Sequence, residues 1–522
     1  MSFAAIRLIR YDRLQTPPEH LAVLVEPPAA QLHALLAEPP AARLAAVPLL
    51  DTTLGAGRAA LRAELGLSGP LILTGHQAEF FHAGVLAKTI AAHALAARLG
   101  GQAAFLTVDS DVPKTAQLAL PQTTSRGLRR VDVSIPGCDP QRDFESQPRV
   151  SRADWLQFFA GVTSLHEFGQ HSLLPTFARA WLTTPDAHPL YCDALARGHA
   201  AAEAALGLDG VRELRMSHLC ATPAFRAFVA SLLLDAHRVI EHYNAAQAAY
   251  RARHKVRARG RPVPPLVVHD EAVELPFWLG RAGEPRRRMF VHRQGARLTL
   301  RADQEVVDTL ACEALARFAT HAEAWPLERA GWRIRPRALA LSAFARLFLG
   351  DLFIHGIGGA KYDEIMEDFV GAWLGVAAGP ACCVSATLHL PLPRHGIRAA
   401  DLAAARQRSR DLRYNPQRHL RAVPVELLDQ RSELVRLSAE RRARQPRDRA
   451  GRRVLFRELR RVNEQMLETD PWRVAEYDQR VQTLESQWRL DRIALDREYF
   501  YALHPRESLV ALITALRQAL AE

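Results

Sequence analysis

An α/β fold with a parallel, doubly wound sheet and a C-terminal helical arm is what this 522-residue chain predicts, on three observations. The stretch 70–111 alternates strand, turn, helix and strand, and its apolar run Ala103–Val108 suits a parallel strand covered on both faces. A second glycine-rich entry into a helix follows at 355–365, HGIGGAKYDEI. From about 401 onward, apolar residues recur three and four apart in an Arg-rich background, the seam of paired helices. Together they predict a Rossmann-like core of nucleotidyltransferase type, with insertions and an antiparallel α-helical coiled-coil arm.

The elements follow in order. Residues 1–66, rich in Ala, Leu and Pro, predict a helical lead-in broken at Pro17-Pro18, Pro27-Pro28 and Pro39-Pro40. The core is expected over 67–400, with a connecting insertion at about 212–330. Leu71–Leu73 is its first strand, ended by Thr74-Gly75; a helix covers about Val85–Leu99 and stops at Gly100-Gly101. Ala224–Tyr250 reads as one long helix, and Leu266 to about Arg301 as strands of a smaller, partly antiparallel insertion. Pro336–Leu352 is helical and Cys382–Leu390 a late strand. The arm, 401–500, carries a seam at Leu455, Leu459, Val462, Met466, then Val474, Tyr477, Val481, Leu484 and Trp488. Gln445–Gly451 and Asp470-Pro471 are its breaks, and 501–522 is a closing amphipathic helix.

Composition narrows the function classes. Hydrophobic residues make up 48% and charged residues 24%, ordinary for a globular chain, and the length exceeds one hydrophobic core. The net charge of +12 permits anionic partners, but the arginines are spread along the chain and aromatics are only 7%, so a nucleic-acid partner is not expected. Six cysteines show no CxxC spacing, which argues for a reducing, cytoplasmic setting and against zinc or a disulfide scaffold. The N-terminus MSFAAIRLIRYDRL lacks the apolar run of a signal peptide, and no stretch approaches the ~20 apolar residues of a membrane span. The chain has four lysines (Lys88, Lys114, Lys255, Lys361) against 64 arginines. Lysine kept in such a chain points to positions that need a compact ammonium.

Three constellations can carry chemistry. The first is Thr74, Gly75, His76 and Gln77, with His82, Gly84 and Lys88, where a strand-to-helix turn offers unpaired N–H groups to an anion. Gly75 would let the backbone approach a phosphate, and Lys88 would pair with it as a point charge. The second is Asp109 and Asp111, two carboxylates after a strand that suit an amine, a base role or Mg2+, with Lys114 just beyond. The third runs from His355 to Glu364, with Gly356, Gly358 and Gly359 freeing the backbone and Lys361, Asp363 and Glu364 supplying one cation and two possible bases or amine binders; Tyr362 stands where a P-loop needs Ser or Thr. His166 and His171, five apart in HEFGQH, do not make a zinc-protease helix, and Cys382-Cys383 reads as buried core.

On these residues the chain resembles the bacillithiol synthase family, the cysteine-adding enzymes of bacillithiol biosynthesis. The family's TGQQ motif, apolar-Gly stretch and Lys appear as TGHQAEFFHAGVLAK. Its acidic E-D-H-D run appears as Val108-Asp109-Ser110-Asp111, and its LRP and VGGPGEI motifs as Arg335-Pro336-Arg337 through HGIGGAKYDEI. His76, Val108, Ser110 and the inserted Ala360-Lys361 depart from the pattern, so the chain resembles a divergent member.

The resemblance implies a Rossmann-like core, a coiled-coil arm that forms a homodimer, and ligation of an activated cysteine to a glucosaminyl-malate amine. The expected roles are catalytic for His76, Lys88, Asp109, Asp111 and Glu364. Cofactor binding falls to Thr74, Gly75, Gln77, His82, Gly84, Gly356, Gly358, Gly359 and Lys361. ATP, ADP or another nucleotide, with or without Mg2+, is the cofactor to be tested, with neither zinc nor haem expected. Two other classes stay open: a nucleotidyltransferase acting on another small substrate, and a non-catalytic Arg-rich coiled-coil scaffold that binds nucleic acid.

Overall fold

The computed structural model describes residues 9–36, 41–125, 127–165, 171–186, 189–258, 263–320 and 325–521; His166 lies outside them. Its central sheet has six strands: β1 (Val23–Glu26), β2 (Leu71–Gln77), β3 (Gln102–Val108), β4 (Arg212–Arg215), β5 (Leu352–His355) and β6 (Ala381–Ala386). Their spatial order is β1-β6-β5-β2-β3-β4. All neighbours are parallel except β1, which pairs antiparallel with β6 from Val23↔Ala386 to Glu26↔Cys383. Along the chain, the parallel strands step from β2 to β3 and β4 on one side, then from β5 to β6 on the other. The direction of winding therefore reverses between β2 and β5. In open parallel sheets, ligands bind beyond the strand C-termini at such a reversal.

Strand alternation decides what each face meets. Leu71, Leu73, Ala104, Leu106, Leu214 and Phe353 join one large core with Phe225, Phe228, Phe344 and Phe348. Helix α1 (Ala83–Leu99) crosses between β2 and β3, and is buried along nearly all of its length. It ends where Gly100 adopts φ +60°, the left-handed cap that glycine takes without strain. The other helices bearing on the site are α2 (Tyr191–Ala204), α3 (Pro223–Leu234), α4 (Ala236–Arg253) and α5 (Ile357–Leu374). A second sheet is wholly antiparallel: 272–280 lies between 287–294 and 333–336, and 297–302 and 305–311 extend it beyond 287–294.

Several expectations are corrected. β2 does not end at Thr74-Gly75 but runs on to Gln77, because these residues keep pairing with β3 through Gln77↔Val108. The lead-in contributes an edge strand, β1, as well as helices. Ala224–Tyr250 is two helices: Asp235 separates them, its carboxylate accepting from Trp373 Nε1 at 2.8 Å and pairing with Arg238 at 3.0 Å. Leu352 opens β5 instead of closing a helix, and the late strand stops at Ala386.

The chain divides into two compact units, one of 1–122, 131–390 and 497–522, the other of 123–130 and 391–496. The second is built on α6 (Ala399–Tyr414), α7 (Val425–Arg444), α8 (Arg449–Glu468) and α9 (Pro471–Ala494). Helix α6 lies antiparallel to α9: Arg406 meets Glu485 at 2.7 Å and Arg413 meets Asp478 at 2.7 Å. Val462, Met466 and Leu484 of the anticipated seam are buried, whereas Trp472 beside it is 85% exposed. Among the described residues no helix is long and apolar enough to cross a membrane.

One half-buried carboxylate ties the sheet to the helix Leu54–Glu64. Asp351, just before β5, takes Arg58 at 2.7 Å, Arg62 at 2.8 Å and the Leu71 backbone N–H at 2.7 Å. Arg58 is itself buried, so removing its partner leaves a desolvated guanidinium. Asp351→Ala should destabilise the protein by about 3–5 kcal/mol, read as a lower unfolding midpoint in urea. A loss under about 1 kcal/mol would reduce the cluster to a surface pair.

Candidate functional site

β2 and β5 pair only from Leu352↔Ile72 to Ile354↔Thr74, and beyond that point they part. Thr74 Oγ1 closes the last rung by donating to the Ile354 carbonyl at 2.8 Å. Past it, the Gly75 carbonyl accepts a hydrogen bond from Lys88 Nζ, brought in from α1. Gly75 must be glycine because a Cβ there would collide with the Leu106 carbonyl of β3. The close approach of β3 is by itself enough to require glycine here.

Lys88 is 4% exposed, and burial pushes its amine down to about 7. It therefore presents no exposed point charge, but an amine that can gain or lose a proton near neutrality. Burial and the Lys88 charge also hold the His76 imidazole well below its ordinary value, and burial with Arg497 takes His82 down to about 3. Both rings are neutral at pH 7. His76 Nδ1 lies 3.2 Å from the Gln77 carbonyl.

The two helix N-termini at this end of the sheet differ. At α1 the start is already occupied: His82 Nδ1 accepts from the Gly84 N–H at 3.0 Å. Arg497 reaches over Gly84, 3.3 Å from Ser385 Oγ, so tightly that a Cβ on Gly84 would strike its guanidinium. At α5 the N-cap is Gly356, which brings no side chain to the first-turn N–H groups. A Cβ on Gly356 would come within 3.8 Å of Lys88 Cδ, whereas one on Gly358 would meet nothing within 4 Å. Gly358, Gly359 and Lys361 are thus in the first helical turns, where a glycine loop was expected. This open, uncapped start next to Lys88 fits an anionic group such as a nucleotide phosphate.

The remaining expected residues divide. Asp111 belongs to the rim: it accepts from Gln77 Nε2 at 3.2 Å and pairs with Arg286 at 2.8 Å. Burial, then the charges of Asp363 and Asp111, raise the Tyr362 phenol to about 12. Asp109 is a structural anchor, both oxygens being taken by Ser217, through its backbone N–H at 2.8 Å and its hydroxyl. Among the described residues there is no group of three or more His, Cys, Asp or Glu that could hold a metal. Glu364 points elsewhere, to Arg253 and to His254 at 2.7 Å on the α4 side. Lys361 is exposed and close enough to lower the Cys383 thiol pKa, while Lys114 pairs with Glu79 at 3.4 Å on the surface.

Arg346 and Arg497 escaped the sequence reading. Cys383 is buried core, as expected, and burial pushes its thiol up to about 12 against the opposing pull of Lys88. His355 and Asp363 meet at 3.0 Å beneath the start of α5, and Arg346 also holds Asp363. Burial would raise that carboxyl, but His355 and Arg346 keep it below its ordinary value. Arg497 follows the helical arm, and no local pattern marks it. The stretch HGIGGAKYD does place His355 eight residues before Asp363, a spacing that a helix entry can fold back on itself.

Compared with protein-family models the chain matches none, and no curated protein matches it.

Lys88 gives a direct test. Its amine sits near 7 when folded against 10.5 ordinarily, so between those values the unfolded chain holds the extra proton. Stability therefore gains with rising pH over that window. The melting temperature of Lys88→Met minus that of wild type should be highest near pH 6 and fall by pH 10. A difference flat across pH would show that the amine titrates normally.

Proposed function

We propose that the protein is an amide-forming ligase of the bacillithiol-synthase kind, on a Rossmann-like core of nucleotidyltransferase type with a coiled-coil arm. It joins an activated amino acid, cysteine by the resemblance, to the amine of a small molecule such as a glucosaminyl-malate. The observation that carries this reading is the meeting of Lys88, the Gly75 carbonyl and the uncapped start of α5 where β2 and β5 part.

In this reading the first-turn N–H groups of α5 hold the activated end of the amino acid or its phosphate, at the positive end of an 18-residue helix. A bound nucleotide would supply the activation of the carboxylate. Lys88, with its amine near 7, takes the proton that the acceptor ammonium must lose before its nitrogen can attack the acyl carbon. The C–N bond then forms as the bond from that carbon to its leaving group breaks, and the anion departs toward the α5 N-terminus. Asp111 and Gln77 form the opposite rim, where the acceptor is oriented.

The test is mass spectrometry of full-length protein with ATP, cysteine and glucosaminyl-malate, alongside thermal-shift titrations of ATP and ADP. The expected result is an amide product and a nucleotide-dependent rise in melting temperature. Lys88→Met should cut turnover by about 10²–10⁴-fold, the ordinary contribution of a general base, while the nucleotide shift persists. Absence of both product and shift with every nucleotide would overturn the reading. Pyrophosphate release that needs no amino acid would replace it with a nucleotidyltransferase.

A further inference from the structure

A second cavity lies on the other side of β2, over β3 and β4, and no residue of the ligase reading except Gln77 lines it. It holds about 40 Å³, room for roughly three waters or the head of a short ligand. Its walls are mostly apolar, with Phe81, Phe105, Leu195 and Val211 among them. Its polar groups are Cys192, His199 and Glu203 on α2 and Gln77, Thr107 and Glu213 on β2, β3 and β4.

Glu203 is the anomaly. It is 7% exposed and lines the cavity, yet its carboxyl makes no hydrogen bond or ion pair with any described residue. Buried carboxylates are ordinarily paired; here burial, with the Glu213 charge, pushes the Glu203 carboxyl up to about 8, so it holds a proton at neutral pH until a cation pairs with it. Glu213 beside it is already engaged, accepting from Thr107 Oγ1 at 3.0 Å and Arg215 Nε at 3.3 Å. His199 Nδ1 is taken up at 3.0 Å by the Tyr501 hydroxyl, and its ring stacks on Phe81 at 4.2 Å. A metal would need more free oxygens than this, whereas an ammonium needs one unclaimed carboxylate, a second negative charge nearby and aromatic walls.

We propose that this cavity is a binding site for a short primary alkylammonium group, its nitrogen donating to the Glu203 carboxylate and its stem packed against the cavity's apolar lining of Phe105, Leu195 and Val211. Glu213 adds negative charge from the β4 side, and the apolar lining selects a hydrocarbon stem over a hydrated inorganic cation. The site takes such a group whatever reaction runs between β2 and β5, since it shares neither Lys88 nor the α5 N-terminus.

The test is isothermal titration of the full-length protein with n-propylammonium, with n-propanol and tetramethylammonium as controls lacking the charge or the N–H donors. Saturable n-propylammonium binding is expected, at least tenfold weaker for n-propanol and absent for tetramethylammonium. Glu203→Gln, of the same size, should weaken n-propylammonium at least tenfold. Ala196→Leu, which fills the cavity and leaves the carboxylate in place, should abolish binding and serves if Glu203→Gln does not fold. No saturable binding to wild type, or equal affinity in both variants, would overturn the proposal. Loss of ligase product with alkylammonium binding intact would leave this site standing.

Discussion

Lys88 is buried where two parallel strands part, and the arrangement around it follows from that single placement. Sheet pairing between β2 and β5 stops at Thr74, leaving the half-buried Gly75 carbonyl beyond the last rung. The buried Lys88 amine donates to it from the neighbouring helix. The cost is desolvation of the amine, which brings its proton equilibrium to neutrality. An interaction that completes the backbone hydrogen bonding thus also creates a titratable group beside an open helix N-terminus.

Around this point, other charges are buried only in company. Asp351 gathers Arg58, Arg62 and a backbone N–H at one end of the sheet, and Asp363 gathers Arg346 and His355 near the other. Such groups are hard to replace singly, because each deletion leaves a desolvated partner behind. They hold the β5–α5 entry in place without touching what binds there. Glu203 lacks that company, which sets it apart from the rest of the interior.

Much of the architecture near the site was legible from local pattern. Ala103–Val108 reads as a doubly covered strand because its apolar run is unbroken, and it is the middle of β3. Gly100 marks the end of α1 because a helix needs a left-handed cap. The breaks at Gln445–Gly451 and Asp470-Pro471 fall where α7, α8 and α9 meet, for prolines and polar turns leave their own mark. Gly75 misled for a physical reason: a glycine required by a neighbouring strand looks the same in sequence as one required by a turn. The pairing of Asp109 with Ser217 was equally hidden, since 108 residues separate the partners.

By itself, the sequence determined most of the strands and helices that flank the site, and which residues could titrate or stand at a helix start. Those properties are local, arising from periodicity, caps and side-chain chemistry. Only the tertiary structure decided the outcome. It brought Lys88 to the Gly75 carbonyl, closed α1 with His82 and Arg497, left α5 open, and consumed Asp109 and Glu364 in pairs of their own. Burial and partnership depend on contacts between distant segments, and they decide whether a charged side chain is an anchor or a reagent.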